Sequence, residues 1–441
     1  MKIIGIILFV VFGFSSVNAS EATPGKWTLK DCIDYALENN IKVNTGKLSV
    51  ISSTEDVKEA GARLFPALSF STSHQGGYKP YANSGDAHAD KGSYSGDYGI
   101  NASWTVWDGN KNRNNVKLQK LTARQTQLSL DEQINSIQED IVKLYVQILY
   151  VSEAVDVNAQ ILEISKQNAA RGKEMYKVGS ISKADLSQLD AQVATDEYNL
   201  VNIKGQLDEY KLQMKDLLRL NYDTDFDVVK PSSSDEQALM LAPSVNSVLE
   251  NALANRPEIR NALLGIESGN INIDIARAGY KPTVSLSGGV GSNTLSGTGS
   301  GWGTQMKNNL SGSVGVTLSV PIFDNRSAKT SVNKAKLGLQ QAELESLDAK
   351  NALALTIQGY WINATTNQQR FKSAKISVDS AEDSYELLSE QFRLGLKNIV
   401  ELTNAKSVLL NAQQSRLESK YTAILYLQLL NFYNGEEMNI I

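Results

Sequence analysis

Slid along itself by 216 residues, the chain repeats its own punctuation. Ala36-Leu37-Glu38-Asn39 falls on Ala252-Leu253-Ala254-Asn255, and Ala60, Ala62 and Pro66 fall on Ala276, Ala278 and Pro282. Gly99 meets Gly315, Trp107-Asp108 meets Phe323-Asp324, Gly179 meets Gly395 and Leu186 meets Leu402. An offset that never changes across 36–186 means one structural unit used twice without a gap. The units run over 20–220 and 244–441, joined by a polar linker at 221–243 that contains Pro231-Ser232-Ser233-Ser234.

The eight prolines show where each unit is helical. Residues 81–230 and 322–441 contain none, and a proline inside a helix costs about 3 kcal/mol. Each unit is therefore expected to carry a helix (about 28–63, and 245–279), a long helix (about 109–175, and 325–391), a turn, and a return helix (about 184–220 in the first). Ile134, Ile137, Ile141, Leu144, Ile148 and Val151 alternate spacings of 3 and 4, a coiled-coil seam. The two shorter helices, stacked end to end, match the long one, about 100 Å at 1.5 Å per residue.

Between the first helix and the long one, the period changes to two. Tyr98, Ile100, Ala102, Trp104 and Val106 alternate with Gly99, Asn101, Ser103 and Thr105. Val314, Val316, Leu318, Val320 and Ile322 alternate with Ser313, Gly315, Thr317, Ser319 and Pro321. Leu68-Ser69-Phe70-Ser71 and Val284-Ser285-Leu286-Ser287 supply the partners, giving hairpins at about 67–107 and 283–323 with Gly, Ser and Asn-rich loops near 76–93 and 291–310. About ten residues, apolar on one face and small and polar on the other, suit a strand that crosses a bilayer. Ile100, Trp104, Val106, Val316, Leu318 and Val320 are the candidate membrane-facing residues. Four strands cannot stand in lipid with open edges, and membrane barrels begin at about eight. The barrel must be shared between chains, with eight strands from two copies or twelve from three.

The start of the chain fits export. Lys2, an apolar run over 3–14 and then Ser15-Ser16-Val17-Asn18-Ala19 follow the pattern of a signal peptide over 1–19. With 41% hydrophobic and 21% charged residues and a net charge of −5, the composition gives no reason to expect nucleic acid as a partner. Cys32 is the only cysteine and reads as a small apolar helix residue. His74 and His88 are the only histidines, and His88-Ala89-Asp90 is too small a set for a metal. With no phosphate-binding glycine loop either, the chain reads as a non-enzyme without cofactors.

These features together resemble the TolC family of outer-membrane efflux and secretion channels. The resemblance rests on Leu29-x-x-Cys32-x-x-Tyr35-Ala36-Leu37-x-Asn39-Asn40 and its copy ending Asn255-Arg256-Pro257-Glu258. It also rests on Val320-Pro321-Ile322-Phe323-Asp324 and the turns Tyr176-Lys177-Val178-Gly179 and Phe392-Arg393-Leu394-Gly395. It implies a mainly α fold with a membrane β part, in which a homotrimer forms a 12-stranded β-barrel atop an α-helical periplasmic barrel. The implied setting is the outer membrane of a Gram-negative bacterium, in contact with its lipid. The implied partners are a periplasmic adaptor (membrane fusion protein) and an inner-membrane pump of RND or ABC type, in efflux or type I secretion. The rival from another class is a periplasmic coiled-coil or adhesin stalk, which leaves the duplicated hairpins without a reason.

The resemblance also assigns residues. Val178, Gly179, Ser180, Leu394, Gly395 and Leu396 correspond to the periplasmic tip that docks adaptor hairpins. Lys397 and Asp185 correspond to a tie that closes the entrance, with Phe392 beside them and Glu401 and Asn404 facing the lumen. Lys397 stands where Arg is usual and lacks its bidentate fork; Phe392 replaces Tyr, and Asn404 replaces Asp. These departures imply a more weakly latched or differently tuned entrance.

Overall fold

The computed structural model describes residues 25–78, 92–231, 234–438 and 440. The expected leader 1–19, His88-Ala89-Asp90, most of the loop near 76–93, and Ser232 and Ser233 lie outside the described residues.

The first unit opens with α1 (Leu29–Asn39) and α2 (Ile41–Ala62), where one continuous helix over 28–63 was expected. The break falls at Asn40, whose extended backbone ends α1 and whose side chain accepts from the Lys42 N–H to start α2. The same break recurs 216 residues on, at Arg256, between α6 (Val245–Asn255) and α7 (Pro257–Arg277). Pro257 stands at N1 of α7, where its missing N–H costs nothing.

The long helices are α3 (Lys111–Lys177) and α9 (Ser327–Arg393), each of 67 residues. Their starts are built alike. Asn110 and Arg326 take left-handed backbone conformations, and Asp108 and Asp324 accept from the N–H groups of Asn112 (2.8 Å) and Ala328 (2.7 Å). The return helices are α4 (Lys183–Leu218) and α10 (Ile399–Asn434). A short α5 (Ser234–Ala238) lies in the linker.

The shorter helices do meet end to end: Asn40 Nδ2 donates to the Leu217 carbonyl at the end of α4 (3.0 Å). Side by side, the rods run α2, α3, α7, α9 in the half nearer the sheet and α4, α3, α10, α9 in the other. Trp27, Leu29, Cys32, Ile141, Tyr145, Ile148 and Phe226 form the main core at mid-height. Trp27 N–H donates to the Asp227 carbonyl and Val229 N–H to the Trp27 carbonyl, pinning the linker there.

The four strands β1 (Ala67–Tyr78), β2 (Gly92–Trp107), β3 (Thr283–Leu295) and β4 (Ser311–Ser319) form one antiparallel sheet in that order. β2 pairs with β3, so the two units are joined edge to edge through the backbone, with Ile100 opposite Val290 and Trp104 opposite Leu286. One strand assignment needs correction, and one strand residue sits off the regular ladder. Val320 lies just past the end of β4, next to Pro321, which has no N–H to continue a ladder. Val106 falls in a bulge between Thr105 and Trp107, so that Trp107 is the residue opposite Val284. The loop expected over 291–310 contains a helix, α8 (Trp302–Asn308). It is held by Gln305, which bonds to the backbone of Leu295 and Ser300.

Candidate functional site

The sheet has two chemically distinct faces. Register puts Leu68, Ala102, Gly288 and Val314 in one row, Phe70, Ile100, Val290 and Gly312 in the next, and Trp104, Leu286 and Val316 in a third. Most of the large side chains in these rows are solvent-exposed in one chain. The opposite face carries Ser69, Asn101, Gly289 and Ser313, then Ser71, Gly99, Gly291 and Ser311. Aromatic residues bound the apolar rows. At one end stand Trp107 and Trp104, whose indole N–H donates to the Leu64 carbonyl (2.8 Å). At the other, Tyr98 meets Trp302 edge to face at 6.0 Å, and His74 bonds the Tyr94 hydroxyl (2.6 Å). Tyr98 and Trp107 are nine residues apart along β2. That is about 23 Å of height at ~3.3 Å per residue and ~40° tilt, close to the ~25 Å apolar band of outer-membrane barrels.

One chain leaves its lateral edges unfinished. β1 and β4 each have one free edge. α9 exposes Leu337, Leu344, Leu355, Ile362, Ile376 and Leu387, at spacings of 7 and 11 or their multiples that keep them on a single stripe. At the other side of the row α2 exposes Ile41, Leu48 and Ile51, and α4 exposes Tyr198, Val201 and Leu212. Two different exposed surfaces at opposite edges are what a head-to-tail contact between copies would need, and such contacts close into a ring when the rotation permits.

At the end away from the sheet, both units finish in the same turn. Gly179 and Gly395 have φ of +76° and +75°, which glycine adopts at no steric cost. Ser180 N–H donates to the Met175 carbonyl and Gly179 N–H to that of Tyr176; Leu396 and Gly395 do the same to Gln391 and Phe392. This is the Schellman arrangement. It leaves Val178, Leu394 and Leu396 exposed at the extremity.

Ser182 then caps α4 and Asn398 caps α10, with Asp185 and Glu401 returning the bond to the cap N–H in reciprocal capping boxes. These two carboxylates are thus the same position in the two units. The Ser182 hydroxyl and N–H hold the Asp185 carboxyl below its usual range. Lys397, with help from the Asn398 N–H, does so for Glu401. The expected pair between Lys397 and Asp185 is not made within this chain: Lys397 bonds Glu401 at 2.9 Å, and Asp185 bonds Ser182. Phe392 is buried with Leu189, Tyr385, Ile399 and Leu402 in the core of the tip, so it packs rather than lines a passage. Asn404 is exposed.

A polar junction that the sequence reading missed lies inside this half. Lys406 of α10 is ion-paired with Asp196 of α4, and both side chains are under 5% exposed. Ser165 of α3 accepts from the Lys406 ammonium (2.7 Å) and donates to Asp196 (2.5 Å), while Gln192 donates to the other carboxylate oxygen (3.0 Å). Burial pulls the Lys406 pKa down, against the carboxylate beside it. Nearby, Asn168 of α3 donates to the Tyr385 hydroxyl of α9 (2.9 Å). Together these bonds tie the first unit's helices to the second's. The local signal was a lysine among Leu402, Ala405, Leu409 and Ala412 on an otherwise apolar face.

The sequence pattern of the outer membrane efflux protein family matches residues 32–218 and again 248–433, starting points that are 216 residues apart. Outer membrane protein TolC of Escherichia coli (strain K12) is 21% identical over 429 residues, covering 94% of this chain and 82% of that one. Outer membrane efflux protein BepC of Brucella suis is 20% identical over 401 residues, covering 90% and 83%. Among solved structures, the Vibrio cholerae outer membrane protein VceC superposes with a TM-score of 0.77 at 18% identity, covering 93% of this chain and 97% of that one. CusC superposes with a TM-score of 0.79 at 16% identity, covering 93% and 92%. The chain therefore belongs to the outer membrane efflux protein family and sits in the outer membrane, its helices extending into the periplasm.

Proposed function

We propose that three copies close into one passive duct. Its twelve strands would span the outer membrane, and its helical tube would receive cargo from a periplasmic adaptor and an inner-membrane pump. One observation carries this reading: the sheet is apolar on one face yet open at both edges, a state that lipid does not tolerate. The exposed stripes on α9 and on α2 with α4 supply matching lateral seams. The polar inner face of hydroxyl, amide and glycine residues fits conduction of hydrated cargo.

In this reading the exposed apolar residues Val178, Leu394 and Leu396, presented by Gly179 and Gly395 with Ser180, dock the adaptor. The entrance is lined by Lys397, Glu401 and Asn404. Its closure rests on contacts between copies and on the buried junction at Lys406, because the charged groups at the tip are engaged within their own helices. The test is reconstitution of detergent-extracted protein in planar bilayers. Discrete conductance from a heat-sensitive trimer supports the duct, whereas a soluble elongated dimer without conductance ends it in favour of a stalk.

A further inference from the structure

The charge inventory of the sheet is lopsided. Across the four strands there is no Lys, Arg or Glu, and a single Asp, Asp97 of β2. It sits opposite Ser73 of β1 and Asn293 of β3, two steps along β2 from the row of Ser71, Gly99, Gly291 and Ser311. Its side chain is exposed on the polar face and accepts one hydrogen bond, from the Ser73 hydroxyl at 3.2 Å. The glycines at 99 and 291 leave the wall beside it free of bulk.

We propose that Asp97 is a selectivity residue of the duct. Repeated by the three copies, it forms a carboxylate collar inside the barrel that favours cations over anions near the exit. The proposal rests on the duct reading above, because only closure turns this face into a lumen. Twelve strands about 4.8 Å apart and tilted by ~40° enclose a cylinder of roughly 12 Å backbone radius. The carboxylates reach to about 9 Å from the axis, comparable with the Debye length of ~10 Å at 0.1 M salt and well beyond the ~3 Å at 1 M. Their field therefore covers the whole cross-section in dilute salt and only a rim in concentrated salt. The rest of the wall carries no other charged side chain among the described strand residues, so it neither opposes nor reinforces it.

The experiment measures reversal potentials of the full-length trimer in planar bilayers across tenfold KCl gradients, for wild type, Asp97→Asn and Asp97→Lys. From 10 to 100 mM, the K⁺/Cl⁻ permeability ratio should fall at least twofold in Asp97→Asn and further in Asp97→Lys, on the order expected when a ring of charge is removed or inverted within a Debye length. From 100 mM to 1 M, the three proteins should converge. Channels that conduct but reverse at the same potential in all three proteins would overturn the collar while leaving the duct intact. A wild type that forms no channels would overturn both.

Discussion

Removing the Lys406 ammonium should do more damage than its one ion pair suggests. Lys406 and Asp196 are both almost fully buried, and Asp196 keeps only Ser165 and Gln192 when the lysine is lost. An uncompensated charge in such a site costs about 3–5 kcal/mol, whereas replacing both charges by apolar groups of similar volume is neutral or even stabilising by ~1–4 kcal/mol. At about 1.4 kcal/mol per decade, Lys406→Met should lower amide protection by roughly two to three and a half decades. The loss should be confined to the stretches of α3, α4 and α10 around Ser165, Asp196 and Lys406. Hydrogen–deuterium exchange of the detergent-solubilised protein reads this directly. The double variant Lys406→Met/Asp196→Leu should restore protection to wild-type level or above. Wild-type exchange in Lys406→Met, or a double variant as unprotected as the single, would refute a buried charge left without its partner.

Other consequences are open to direct measurement. Hydrogen bonds hold the Asp185 and Glu401 carboxyls below their ordinary values of 3.8 and 4.5, so they stabilise the first turns of α4 and α10 above those values. Protection at the tip, corrected for intrinsic rates, should fade as pH drops through and below that range, and Asp185→Asn should weaken the α4 part of the effect. Gly395→Ala forces a left-handed alanine and should cost about 1 kcal/mol in the turn, read as faster local exchange. Cys32 is fully buried and its thiol is pushed up to about 12, so a maleimide at pH 8 should label it only after denaturation. A Cβ at Gly291 would lie 2.9 Å from the Tyr98 carbonyl oxygen, so Gly291→Val should disrupt the β2–β3 pairing and lower the yield of heat-sensitive oligomer.

Much of the architecture was legible because it is written twice and in residues with strong local preferences. The proline-free stretches, Gly179 with Gly395, and the Asp108 and Asp324 caps each act within a few residues of where they stand. The breaks at Asn40 and Arg256 ran against the expected continuous helices, although Pro257 marks a helix start and the 216-residue offset carries that start back to Ile41. What local pattern could not supply was pairing at long range. Lys406 and Asp196 lie 210 residues apart, and the apolar face around Lys406 signals burial without naming its partner. Likewise, Asp185 and Glu401 stand at N3 behind Ser182 and Asn398, and that spacing already offered them a partner nearer than Lys397 offers Asp185. The bulge at Val106 shifts the strand's alternation by one residue without any glycine to announce it.

Closure of several copies into one barrel is tested most directly by native mass spectrometry of the detergent-extracted protein. Three copies in one particle, dissociating together on heating, are the predicted result. A monomer, or a dimer whose four-stranded sheets keep their free edges, would contradict it.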